Sequence, residues 1–420
     1  MRTLTLRSFK TEPSSWDLED NEGRYIVAGA TIDHLVAFTV FLAAILLFIG
    51  FFNQMNQTAI VYQYHRYIAT KCSDVLDSIL LNPGSPSDWG VSGSSTQKLT
   101  FFGLQDPEFQ EYRLSPFSLM RLLSPGAQQY NNVSWSLNGG YLLLQASQCI
   151  GYRNVTNLLG INGTYDFQLA ITPTVTVNVS EVPDAYLKLK IQAYGTGFPL
   201  GNAYLNYLMF WANPSAGNYP IMNYNFTSDI LQTDSSGVAF KEFPYLSSGT
   251  AFTFMVKAST AGISGIGYLS QETVTNAGSI IPYIQSYDSG TANVLLTQNP
   301  QTGMDPLYFN ASFYALPDNF VPIPAGTFSG SLDNTTPSKN LQIITNNQTG
   351  FLVIAYGDGN SYGMVITPLG VNSIGVPVTF GANPFGKNWV ATDLRQVLIG
   401  DIAYQAKLSL WSLQGYGVTG

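Results

Sequence analysis

The stretch from Leu35 to Phe52, LVAFTVFLAAILLFIGFF, constrains this chain more than any other: 18 consecutive residues carry no charge and nearly all are apolar. A bilayer's hydrocarbon core is ~30 Å thick and takes ~20 apolar residues of helix to cross. A helix packed on a water-soluble body keeps one polar stripe, and this run has none. It reads as a membrane span near the start of a chain in which only 10% of residues are charged, against the usual ~25%. Tyr, Asn, Ser and Thr supply the polar surface instead, a composition that suits an outward-facing coat.

At 420 residues the chain has room for two or three domains. Its net charge of −8 leaves nothing basic enough to hold a phosphate backbone, so the expected partner is a lipid bilayer and not a nucleic acid. Two cysteines, Cys72 and Cys149, and two histidines, His34 and His65, lie too far apart for metal-ligand spacing, and no cofactor is expected. On the outer face of a membrane the two cysteines could form one disulfide; two buried free thiols are the alternative.

Charge alone hardly orients the span, because Arg24 on one flank is matched by Arg66 and Lys71 beyond the other. Sequons orient it better. Asn56, Asn132, Asn154, Asn162, Asn178, Asn225, Asn310, Asn334 and Asn347 each open an N-x-S/T triplet, and all follow the span. That motif marks surface positions of exported chain, which places the long C-terminal part outside the cell and makes this a single-pass protein of the cell membrane.

Residues 1–29 are polar, with Pro13 and acids at Asp17, Glu19, Asp20 and Glu22, and read as a disordered cytoplasmic leader. The small residues Ala28, Gly29 and Ala30 precede the apolar run, the reverse of a secretory signal peptide. Beyond Phe52, apolar residues return at Val61, Tyr64, Ile68, Cys72, Val75 and Ile79, with no Pro or Gly before Pro83-Gly84. That spacing predicts one helix from Thr31 to Leu81, greasy all round in its first half and amphipathic in its second, within a stalk segment over 30–82. Asp33 at its start either complements the helix dipole or lies deep enough to need a cation, such as the free amino terminus of a neighbouring chain clipped near Gly29.

This arrangement resembles the type IV pilin-like surface proteins of archaea, in which a short polar leader ends at small residues and an acid opens a long, half-hydrophobic helix. The likeness continues through LLNPGSPSDWG (Leu80–Gly90), FFGLQDPEFQEYRLSPFSLMRLL (Phe101–Leu123) and LLGINGTYDFQLAITP (Leu158–Pro173), covering residues 28–180 and the extreme C-terminus. It implies leader cleavage at Gly29 or Ala30, and assembly through the helix with copies of itself or other pilin-like subunits. Asp33 stands where that family usually has Glu, and no Lys or Arg directly precedes the small residues, so an uncleaved signal anchor stays open.

Beyond Pro83 the periodicity changes from helix to strand. Ser115 caps a short helix over Ser115–Leu123, with Pro116 at its first position. Tyr165, Phe167, Leu169 and Ile171 then alternate with polar or small residues, and Val175, Val177 and Val179 place Asn178 on the outward face. These belong to the first part of a pilin-like α+β head, residues 83–182. A second module, 183–278, opens with alternating Leu187, Leu189 and Ile191 and carries turn signals in GTGFPLGNAYLN and TDSSGVAF. The order is similar to carboxypeptidase regulatory-like and transthyretin-like β-sandwiches, a resemblance that implies a fold and no catalytic residues.

Residues 279–420 predict further strands at Asn293–Gln298, Leu307–Leu316, Leu341–Thr345, Phe351–Tyr356, Tyr362–Pro368 and Val376–Phe380. A hairpin follows whose Gly400-Asp401 turn suits type II′, and its last strand is expected to close the head beside residues 165–180. The fold class is mainly β with one long N-terminal transmembrane helix, a pilin-like α+β head and sandwich modules.

Little in this sequence carries chemistry. Both histidines adjoin the apolar helix, no G-x-S-x-G occurs, and Gly357-Asp358-Gly359-Asn360 reads as a hairpin turn. Asp106, Glu108 and Glu111 share a loop and read as solvated charge, though paired carboxylates suffice for glycoside cleavage. Tyr219, Tyr224, Tyr283 and Tyr287 are either sugar platforms or sheet packing. The expectation is a non-enzymatic surface protein for adhesion, filament assembly or surface structure; an anchored ectodomain binding glycans or a protein partner is the alternative, ahead of an anchored glycoside-active enzyme.

Overall fold

A computed structural model describes residues 21–91, 99–109, 111–122, 128–130, 133–138, 142–214, 222–247, 249–271, 279–288, 290–299, 306–317, 319–358, 362–370, 375, 377–387 and 389–413. It divides into two compact units, Met1–Arg66 and Tyr67–Gly420, with one helix, α1 (Asn21–Leu80), running through the boundary. The helix starts ten residues before the expected Thr31, so residues 21–29 are helical and not disordered leader. The isolated Gly23 and Gly29 each cost such a helix only ~1 kcal/mol. The other end falls one residue short of Leu81: Asn82 Nδ2 donates to Ser78 O at 2.9 Å, and Gly84 turns the chain away at φ 91°.

The second unit is mainly β. In chain order it holds α2 (Pro116–Met120), β1 (Gln128–Tyr130), β2 (Val133–Asn138), β3 (Leu142–Gln145), α3 (Tyr152–Leu158), β4 (Tyr165–Pro173), β5 (Val175–Val182) and β6 (Tyr186–Gly195). There follow β7 (Phe198–Pro199), β8 (Tyr204–Pro214), β9 (Met222–Gln232), β10 (Val238–Ser247), β11 (Phe252–Thr260), β12 (Ile263–Gln271), β13 (Ser279–Asp288), β14 (Thr291–Asn299) and β15 (Leu307–Ala315). The last are β16 (Ile323–Leu332), β17 (Ser338–Ile344), β18 (Gly350–Gly357), β19 (Tyr362–Leu369), β20 (Val378–Gly381), β21 (Ala391–Ile399) and β22 (Ile402–Ser412).

The sandwich is two sheets face to face, β10-β6-β5 on β12-β11-β8-β9. Val175, Val177, Leu189 and Ile191 meet Tyr207, Met209, Phe254 and Val256 in one core. It therefore begins at Val175 and not after Val182, because β5 pairs with β6 along its whole length. The unbroken alternation of residues 165–182 conceals a change of sheet. Pro173 lacks an N–H for the ladder, and Thr174 bonds across to Ala403 O at 2.9 Å as the chain leaves one sheet for the other.

The outer face of the second sheet is covered too. Phe210 on β8 packs against Tyr314 and Phe351, at 5.3 and 5.8 Å between ring centroids, from the sheet β16-β15-β18-β19. A sheet buried on both faces needs no polar alternation, which is why residues 252–258 (FTFMVKA) are buried throughout. Gly265 and Gly267 bring β12 close to β5; a Cβ on Gly267 would lie 2.5 Å from Val177 O. Gly267→Ala is expected to cost about 1–3 kcal/mol, read as a lower urea midpoint in detergent-solubilised protein; an unchanged midpoint would mean that the seam yields freely.

A fourth sheet, β20-β4-β22-β21, sets β22 antiparallel to β4 with Leu408 opposite Leu169, while residues 175–182 pair elsewhere. Gly400 has φ 62°, as a type II′ turn requires of its first central residue. The fifth, β1-β2-β3-β13-β14-β17, includes strands the periodicity misses. So does β16 (IPAGTFSGSL), whose Pro, Gly and Ser argue against a strand and which forms at a sheet edge beside β15.

Candidate functional site

In the first unit, the apolar band of α1 has no inward face. Phe41, Leu46 and Phe48 are 62%, 61% and 71% exposed, and residues 32–52 are exposed without exception. Among the described residues this is the one helix long and apolar enough to cross a membrane, and it lies near the N-terminus. Asp33 is exposed in this helix, and Gly29 and Ala30 belong to its backbone.

In the second unit the same helix has a seat. Ile68, Cys72, Val75, Leu76, Ile79 and Leu80 are buried, the three-and-four spacing of one helix face. Polar groups beside this seam fasten it. Arg395 on β21 donates from Nε to Asp77 Oδ1 at 3.0 Å, and from one terminal nitrogen to Asp77 Oδ2 at 3.2 Å and Ser73 Oγ at 2.9 Å. Its other terminal nitrogen holds Asp393 at 2.8 Å, and Tyr112 Oη donates to Asp77 Oδ1 at 3.3 Å. A forked guanidinium–carboxylate contact fixes geometry as well as charge.

The expected disulfide does not form: no S–S bond joins Cys72 and Cys149. Cys72 is directed into the seat, its Sγ against Leu408 O at 3.6 Å and Ala391 O at 3.7 Å, whereas Cys149 points back to Gln145 O at 3.7 Å. The helix periodicity that buries Cys72 commits it to packing. Burial, and then the charge of Asp393, push its thiol up to about 12. The thiolate, which is the nucleophile, is then scarce near neutral pH. Iodoacetamide is therefore expected to leave Cys72 unlabelled in the folded protein and to label it in guanidinium, scored by peptide mass spectrometry; labelling without denaturant would refute the packed seat.

The remaining residues singled out in the sequence separate clearly. Asn56, Asn154, Asn162, Asn178, Asn225, Asn334 and Asn347 are exposed, while Asn132 lies outside the described residues. Asn310 is half-buried inside β15 with its Oδ1 enclosed, a poor place for a glycan. Tyr283 and Tyr287 are buried at 5% and 0% exposure, and Tyr224 bonds Tyr314 at 2.7 Å between hydroxyls, so these three serve packing and not sugar stacking. Tyr219 lies outside the described residues. Gly357 closes β18 and Tyr362 opens β19, with 359–361 outside the described residues.

The acid loop borders an open cleft of about 410 Å³. Asp106 lies 3.8 Å from Arg113, whose guanidinium covers the Phe109 ring at 3.7 Å. Burial raises the Asp106 carboxyl above its usual range. Asn347 and Gln348 form part of the same wall, and Glu111, at φ 68°, is exposed. Among the described residues no three acids, histidines or cysteines group as a metal would require.

No family model matches the chain, and no curated protein matches it. Among solved structures, it is similar to a two-domain fibronectin type III segment of chicken tenascin at 13% identity and a TM-score of 0.17, over 48% of this chain and 99% of the other. It is also similar to the alpha-2-macroglobulin of E. coli at 10% identity and 0.20, over 53% and 18%. The chicken interferon gamma receptor alpha chain matches at 9% and 0.17, over 48% and 97%. Likeness of that size carries no functional argument, and the sandwich rests on its own sheets.

Proposed function

We propose that this is a single-pass cell-surface protein whose β-rich body stands outside the membrane as a non-catalytic structural or adhesive module. The observation that carries the reading is the apolar band of α1. In the first unit, residues 32–52 are exposed without exception and present no polar face. The bilayer covers the band, and the exposed sequons lie on the far side of it.

The same band suits packing against copies of itself or other pilin-like subunits, with Asp33 meeting a neighbour's amino terminus if the leader is removed. Mass spectrometry of the mature protein tests this directly. A start near Gly29 or Ala30, with filaments by electron microscopy, supports assembly; a retained Met1 or Arg2 without filaments rejects it in favour of an uncleaved anchor. A partner-binding ectodomain is favoured by the cleft beside Phe109, which is 44% exposed. Protease added outside intact cells should degrade the body; a protected body refutes the orientation.

A further inference from the structure

We propose that Lys257 and Asp401 condense to a side-chain amide bond, a built-in cross-link between the sandwich and the C-terminal hairpin. Lys257 sits on β11, inside the middle sheet, flanked in register by Asn206 on β8 and Ile266 on β12. It is only 8% exposed, and its neighbours on the same face, Thr253 and Met255, are fully buried. Its Nζ is in direct contact with Asp401 Oδ2. Asp401 is held in turn, because it occupies the hairpin turn and Ser264 Oγ donates to its carbonyl at 3.1 Å.

Asp401 is itself exposed, so the pair is enclosed on the lysine side alone. An amide would remove both charges, including the ammonium that β11 buries.

The step balances without any co-reactant. One proton passes from the Lys257 ammonium to the Asp401 carboxylate, giving an amine and an acid. The nitrogen lone pair attacks Cγ and forms the Nζ–Cγ bond. A proton passes from nitrogen to the departing oxygen, the Cγ–O bond breaks, and one water leaves. Groups held in contact by a fold reach effective concentrations of about 10⁵–10⁸ M, the advantage that free lysine and aspartate in water lack.

The bond would join residues 144 apart in sequence. β21 and β22, which it ties to β11, also hold Arg395 and the carbonyls around Cys72 at the helix seat. A pull on that seat would then reach the sandwich through covalent bonds. The inference stands whether or not the helix crosses a membrane.

Full-length protein, purified in detergent and digested with chymotrypsin, tests it by peptide mass spectrometry. The expected product is a branched peptide joining the Lys257 and Asp401 segments, lighter by one water than the two together. Asp401→Ala and Lys257→Gln should each abolish it. Separate linear peptides with unmodified Lys257 and Asp401 in the wild-type protein would overturn the cross-link.

Discussion

Arginine at both Leu42 and Leu46 is expected to release the protein from membranes. Each residue is exposed on α1, at 47% and 61%, inside a band with no polar face to turn toward. A cation near the bilayer centre costs ~2.5–3.5 kcal/mol on insertion scales, so two cost about 5–7 kcal/mol. At a factor of ten per 1.4 kcal/mol, partition into the membrane should fall by three to five orders of magnitude. Alkaline extraction followed by ultracentrifugation reads this as a shift from pellet to supernatant. Gln57→Arg, beyond the band, should stay in the pellet. A double variant that also stays there removes the basis for an anchored protein.

Phe254→Ala is expected to cost about 3–5 kcal/mol, a large part of the 5–15 kcal/mol that stabilises a typical domain. Its ring is wholly buried, stacked on Tyr207 at 5.3 Å and edge-on to Phe243 at 6.3 Å. Both neighbours come from other strands, so no single side chain can collapse into the space. Urea unfolding followed by Trp fluorescence should show the lowered midpoint. Phe198→Ala removes the same ring from a site 73% exposed and should change stability by about 0.5 kcal/mol or less. Equal losses in the two variants would contradict the sandwich core described above.

Which strands exist was readable wherever one face meets water. The alternation of Leu187, Leu189 and Ile191 appears as buried positions in β6, and that of Ile402, Tyr404 and Ala406 places β22 and its turn. Alternation is missing where both faces are covered, as in β11, which the turns before it still mark as a strand, and composition argues against a strand in β16. It also cannot say which sheet a strand joins, and the module boundary at Val182 was misplaced for that reason. The seat shows a similar division. Spacing along the helix marks Ile68, Cys72, Val75 and Ile79 as one face, yet nothing in one dimension pairs Asp77 with Arg395.

Taken alone, the order of residues determined a greasy helix, its amphipathic continuation and a β-rich remainder, because hydrophobic periodicity is a local property of neighbours along the chain. The stacking of three sheets, the separation of Cys72 from Cys149, the Asp77–Arg395 fork and the meeting of Lys257 with Asp401 were decided only in three dimensions. Each depends on residues far apart in sequence reaching contact distance, and that is set by how sheets pack and not by any local pattern.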